Sequence, residues 1–203
     1  MAEEHTQAKD DPAVARKRPK PGERRIQILQ ALAAMLEQPG SERVTTAALA
    51  AKLGVSEAAL YRHFASKAQM FEGLIGFIEN SVFSLLNQIA LEPLDAPDKL
   101  RRMLTVLLQF AERNPGMARV MVGDALVFEN DRLHQRMSLF FDKVEANFRQ
   151  VVRDVPGATP TVDAQALASV AMAFTVGRLH RFARSGYKRS PLEHLDASLR
   201  WLL

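Results

Sequence analysis

The stretch Thr45 to Phe64, TTAALAAKLGVSEAALYRHF, constrains this chain more than any other. It holds two short apolar-patterned segments with a single glycine between them. Neither segment is long enough to be stable alone in water, so each must be held by packing. Thr45 or Thr46 is placed to cap the first helix, and Gly54 supplies a left-handed residue that stops it. Ser56 then caps the second. Two helices joined by a three-to-four-residue turn with a glycine is the helix-turn-helix arrangement. Ala50 is small where the second helix must cross closely, and Leu49, Leu53, Val55, Ala59 and Leu60 form the expected shared core. That leaves Ser56, Glu57, Ala58, Tyr61 and Arg62 outward, where such a helix meets base edges in the major groove. Thr45 and Thr46 are candidates for phosphate contact at a helix N-terminus. Tyr61, His63 and Lys67 can do the same from the far end. Glu57 can accept from a cytosine amine or simply favour the helix N-terminus, and the second is the better fit. The competing interpretation is an ordinary helical hairpin.

Charge favours a polyanion. Arg16 to Lys67 holds ten Lys and Arg against four Glu, a net +6, while the rest of the chain sums to −2. A basic stretch of this kind is an electrostatic footprint for nucleic acid, although a solvated tail has the same composition.

The remaining pattern is helical throughout. Residues 1–21 are polar and carry Pro12, Pro19 and Pro21, so they read as a flexible basic arm. Ile26, Leu29, Leu32, Ala33 and Leu36 recur at three and four residues, and Pro39-Gly40 ends that helix. Ser66 caps a long helix to about Leu91. An apolar helix is expected over Asp98 to Arg113, another over Met117 to Phe128. Leu133, Met137, Phe140, Phe141, Val144, Phe148 and Val151 form one stripe. Pro156-Gly157 and Pro160 break it, residues 162–185 form an Ala-rich helix, and a short helix ends at Trp201. The expectation is an all-α chain of about nine helices without strands, divided into an arm at 1–21, a DNA-binding head at 22–66 and a helical body at 67–203. In the body, Ala164, Ala168, Ala171 and Gly177 are small enough to admit a partner helix closely. Trp201 is a natural interface anchor. These five mark the expected dimer interface.

Catalytic signatures are absent. There is no cysteine, which removes disulfides and zinc-thiolate sites. No GxGxxG, GxxxxGK[ST] or GxSxG occurs, and none of the five histidines has a second ligand at metal spacing. No enzyme activity, cofactor or metal is expected. No apolar run approaches a membrane span, and MAEEHTQAKDD is no signal peptide, so a cytosolic protein is the default.

The order of helix, helix-turn-helix, then YRHF followed by SK and a long helix resembles the TetR family of bacterial regulators. The resemblance implies a three-helix head on a helical body that dimerises through its last long helices. Downstream strings, FAERNPGMARVMVGDALVFENDRL and FDKVEANFRQVVR, narrow it to the nucleoid occlusion branch. What that branch implies is a homodimer bound to palindromic chromosomal sites. When so bound, it engages the C-terminal tail of the tubulin-like division protein FtsZ and blocks septum assembly over the nucleoid. The implied location is cytoplasmic and nucleoid-associated. The implied DNA contacts fall on Thr45, Ser56, Tyr61, His63 and Lys67, and the implied FtsZ surface on Phe77, Val106, Arg113 and Asn114. The helical wheel adds to this. With Phe71 as origin at 100° per residue, Leu74, Ile75, Ile78, Val82, Leu85, Leu86 and Ile89 cluster within about 60°, while Phe77 and Met70 lie near −120° and −100°. Two large apolar groups thus sit on a flank outside the core stripe, as a partner site would need. Arg113 and Asn114 have simpler roles open to them, a cation at a helix C-terminus and a closing residue before Pro115. The alternative function is a TetR-type repressor that responds to a small apolar ligand enclosed by the apolar fifth helix and the Phe140–Phe148 stripe.

Overall fold

The computed structural model describes residues 22–38, 44–153 and 161–203. The expected arm at 1–21 and the breaks at Pro39-Gly40 and Pro156 to Pro160 lie outside the described residues. Among those residues the chain is all-α: nine α-helices, one 3-10 turn and no strand.

The head is α1 (Glu23–Leu36), α2 (Thr46–Leu53) and α3 (Glu57–Tyr61). α4 (Lys67–Ala90) leads out of it as a spine, and α5 (Ala96–Arg113) returns along α4. α6 (Pro115–Met121), α7 (Asp131–Arg153), α8 (Thr161–Arg184) and α9 (Leu195–Leu202) complete the body. α7 and α8 pack most extensively against each other, and one continuous apolar core runs from Ile28 through Leu104 and Phe148 to Leu199.

Three helices of the body differ from the sequence expectation. α5 begins at Ala96 because the Asp95 side chain caps it, accepting from Asp98 N at 2.9 Å. Pro97 therefore sits in the first turn, where its missing N–H costs nothing. The helix expected over Met117 to Phe128 stops at Met121, and a separate turn follows at Asp124–Leu126. Gly123 between them is left-handed, φ 85°, which no α-helix continues. Leu85, expected in the core stripe of α4, is exposed, although Leu74 and Leu86 at the stripe's two margins are buried.

Head and body meet at α1 against α6. A Cβ on Gly116 would lie 2.1 Å from the carbonyl oxygen of Ala33, so the two backbones touch at that point. Leu36 O at the end of α1 accepts from Arg119 Nη1 and from Tyr187 Oη, both at 3.1 Å. Burial pushes the Tyr187 phenol above its ordinary pKa, so it stays protonated and donating. Arg178 fastens α9 from within, donating to the Pro191 carbonyl at 3.3 Å and to Ser198 Oγ at 2.7 Å.

Candidate DNA and partner interfaces

The helix-turn-helix forms as its caps dictate. Thr45 Oγ1 accepts from Ala48 N at 3.2 Å and Ser56 Oγ from Ala59 N at 3.3 Å. Gly54 adopts φ 64°, ψ 38°, and the bonds Val55 N to Ala50 O and Gly54 N to Ala51 O close α2 as a Schellman motif. Leu49, Ala50 and Leu60 are buried between the helices, while Leu53, Val55 and Ala59 are half-buried. Ser56, Glu57, Ala58, Tyr61 and Arg62 are exposed on one side. α3 is shorter than SEAALYRHF suggests. After Tyr61 the chain bends, through His63 N and Phe64 N both bonded to Leu60 O, to drive Phe64 into the core. Two details were not legible in the sequence. The Thr46 hydroxyl donates to Glu57 Oε2 at 2.5 Å, so Glu57 ties the two helix N-termini together rather than standing free. Arg25 of α1 stacks over the Phe64 ring at 4.1 Å and bonds the His63 carbonyl, which places a further cation beside the far end of α3. Four of the six excess positive charges in the basic stretch belong to residues 16–20, outside the described residues.

Lys67, expected at phosphate, is bonded to Glu129 in this structure, with side chains 20% and 10% exposed. Its N-cap, Ser66, accepts from Gln69 N at 3.2 Å.

On the partner side Phe77 is 49% exposed in the middle of α4. Arg113 is exposed as the last residue of α5, and Val106 is half-buried two turns earlier on the same face of that helix. The short connection between α4 and α5 makes them antiparallel neighbours. The middle of α4 therefore runs beside the C-terminal half of α5. Asn114 closes α5: its Nδ2 donates to Phe110 O at 2.7 Å, which occupies the side chain. Met70 corrects the helical-wheel expectation. It is fully buried, because head and body both pack over its side of the first turns of α4.

The dimer residues divide. Ala164, Ala168 and Ala171 are fully buried within the chain. They admit α7 of the same chain, not a partner helix, and their place at an interface is corrected accordingly. Gly177 is exposed with open space where a Cβ would go, and Trp201 is 94% exposed. The free face of α8 carries Ala166, Val170 and Ala173, which the sequence did not single out, in line with the expected Gly177, and Leu139 of α7 is also exposed.

Among the described residues no group of acidic and histidine side chains is arranged to hold a metal. No helix there is long and apolar enough to cross a membrane.

Comparison with known proteins agrees with this architecture. Residues 28–74 match the family model for bacterial regulatory proteins of the tetR family. Residues 95–203 match the SlmA-like model for the tetracyclin repressor-like C-terminal domain. The chain is 48% identical over 183 residues to the nucleoid occlusion factor SlmA of Colwellia psychrerythraea, covering 89% of this chain and 92% of that one. With SlmA of Shewanella sediminis it shares 50% over 176 residues, 85% of this chain and 89% of the other. Among solved structures, the fatty acid degradation regulator FadR of Bacillus halodurans superposes with a TM-score of 0.73 at 14% identity, over 91% of this chain and 97% of that one. A Rhodococcus transcriptional regulator gives 0.72 at 20%, over 88% and 92%. At that identity the structures speak for the fold alone. The identity to the curated relatives extends through head and body alike, and the chain belongs to the SlmA-type nucleoid occlusion factors of the TetR family.

Proposed function

We propose that this protein binds palindromic chromosomal sites as a homodimer and, once bound, engages the C-terminal tail of FtsZ to prevent septum assembly over the nucleoid. It would act in the cytoplasm, on the nucleoid, and as a binding protein rather than an enzyme. The observation that carries the reading is Phe77. A phenyl ring nearly half exposed at mid-helix, beside α5 and away from the outward face of α3, is where a second macromolecule would dock. Arg113, exposed at the end of the antiparallel neighbour, adds a directed cation. Ser56, Glu57, Ala58, Tyr61 and Arg62 face the DNA in this reading, and Ala166, Val170, Ala173, Gly177 and Trp201 face the second copy. A ligand-enclosing repressor is less well supported, since the Phe140 ring is wedged between Phe83 at 5.5 Å and Phe141 at 5.1 Å. The Phe140–Phe148 stripe acts as packed core.

Arg113→Asp is expected to weaken binding of a labelled FtsZ tail peptide severalfold or more and to leave duplex binding nearly intact, because distant sites are usually additive. Both affinities are measured on one purified variant. Loss of both would make Arg113 a structural helix end; loss of neither would place the tail elsewhere. Dispersal of FtsZ polymers on adding protein and duplex tests the function as a whole.

Tyr61→Ala is expected to cost about 1 kcal/mol of duplex affinity, equally on specific and random sequence, since a phosphate contact carries little sequence information. Fluorescence anisotropy on the two duplexes checks it. A loss confined to the specific duplex would move Tyr61 to a base edge.

A further inference from the structure

Three ion pairs climb α4 in step with α7 and the segment leading into it. Lys67 meets Glu129, Glu72 meets Arg132 at 2.5 Å, and Glu79 meets Arg136 at 2.6 Å. Arg136 is fixed twice over, since it also donates to the Glu72 carbonyl at 3.1 Å, and its hydrogen bonds to the Glu79 carboxylate raise its guanidinium pKa. The second and third rungs put the acid on the spine and the cation on α7. The first reverses them. Its cation opens α4, three residues after Phe64 and close in sequence to the exposed Tyr61 and Arg62. Its acid comes from the connection between Leu126 and α7, held there by Glu129 N donating to Leu126 O at 2.8 Å.

We propose that Glu129 is an internal competitor for DNA phosphate at Lys67: one ammonium serves two anions in turn, the carboxylate in the free protein and phosphate in the complex. The inference rests on the DNA-binding reading above and goes beyond it by naming a residue of the body that sets DNA affinity. Lysine suits such an exchange. Its ammonium is a compact charge on a flexible stem, able to change partner without a fixed fork geometry. Lys67 keeps 20% of its side chain in solvent, and its Nζ lies 5.7 Å from the Phe71 ring, so the ammonium is not sealed off by its carboxylate. Glu129 is 10% exposed, and a carboxylate that enclosed is poorly solvated once its cation leaves. The exchange therefore subtracts from DNA affinity, and it loosens the rung that ties the start of α4 to the segment leading into α7. An outward-facing Lys67 without an acid partner would bind phosphate more tightly.

The test is a two-by-two set: wild type, Glu129→Gln, Lys67→Ala and the double variant, each as the full chain with a labelled random-sequence duplex over a salt series. Glu129→Gln keeps the shape and a hydrogen-bond acceptor. It is expected to tighten binding about three- to tenfold, within the range of coupling for a partly buried charge pair. Lys67→Ala should flatten the salt dependence by about one unit of slope, and in that background Glu129→Gln should gain nothing. Equal or weaker binding by a folded Glu129→Gln would overturn the proposal, making Glu129 a residue that orients Lys67. A gain that survives in Lys67→Ala would also overturn it, as the general effect of removing a negative charge. Wild type that binds no duplex would sink the DNA-binding reading itself, and the inference with it. If Glu129→Gln does not fold, hydrogen exchange on wild type decides: faster exchange across residues 127–130 when duplex is added is expected, and unchanged protection overturns the exchange of partners.

Discussion

Ala171→Glu is expected to unfold the body, while Val170→Glu, one residue earlier on the same helix, leaves it folded and separates the dimer. Ala171 is fully buried against the α7 side, between Ala168 and Thr175, which are equally buried. Thr175 Oγ1 already donates to the Ala171 carbonyl at 2.9 Å, so the hydroxyl is not free to solvate a carboxylate. A glutamate there is both too large and unpaired. Overpacking alone costs about 1–3 kcal/mol, and an uncompensated buried charge costs about 3–5. Together these rival the 5–15 kcal/mol that holds a domain of this size folded. Val170 is 53% exposed. Its replacement meets no core, and its charge is costly only where a second α8 covers it. Circular dichroism melts and sedimentation of both variants separate the cases. A cooperative, wild-type melt for Ala171→Glu would show α8 turned the other way, and a Val170→Glu dimer as tight as wild type would move the interface off this face.

Gly116→Ala should destabilise the protein although it sits in a helix, where alanine is ordinarily better than glycine by about 1 kcal/mol. The added methyl would stand 2.1 Å from Ala33 O and 3.0 Å from Ala33 C, both backbone atoms that cannot rotate away. α6 must retreat from α1 by more than an ångström. That retreat also stretches the bonds from Arg119 and Tyr187 to Leu36 O, which hold the end of α1 to the body. A loss of about 3 kcal/mol is expected, in the class of core overpacking, or roughly 6–12 °C in melting temperature for a chain of this length. Duplex affinity should fall as well, because the head loses its fixed seat. A melting temperature at or above wild type would mean that the helices are not in backbone contact.

Local signals in the sequence determined the elements. Thr45, Ser56 and Ser66 cap where hydroxyl side chains before apolar runs said they would, and Gly54 ends α2 in the left-handed conformation. Caps and turns depend on a few consecutive residues, so they can be read without knowing the fold. The outward face of α3 was legible for the same reason: two short amphipathic helices have one way to bury Leu49 and Leu60 together. Periodicity also found Phe77, whose exposure follows from its angle on α4.

Tertiary structure decided everything that depends on which neighbour covers a face. Met70 and Phe77 share a flank on the wheel, yet Met70 is buried and Phe77 is not, because head and body both close over the first turns of α4, whereas at mid-helix the neighbours α5 and α7 leave that flank open. The alanines of α8 look the same whether they admit α7 or a second subunit; the chain places Ala164, Ala168 and Ala171 against itself and leaves Ala166, Val170, Ala173 and Gly177 outside. Glu129 lies 62 positions from Lys67, and nothing in its local pattern marks it as a partner. A helix's period specifies which residues share a face, but long-range packing alone specifies what that face meets.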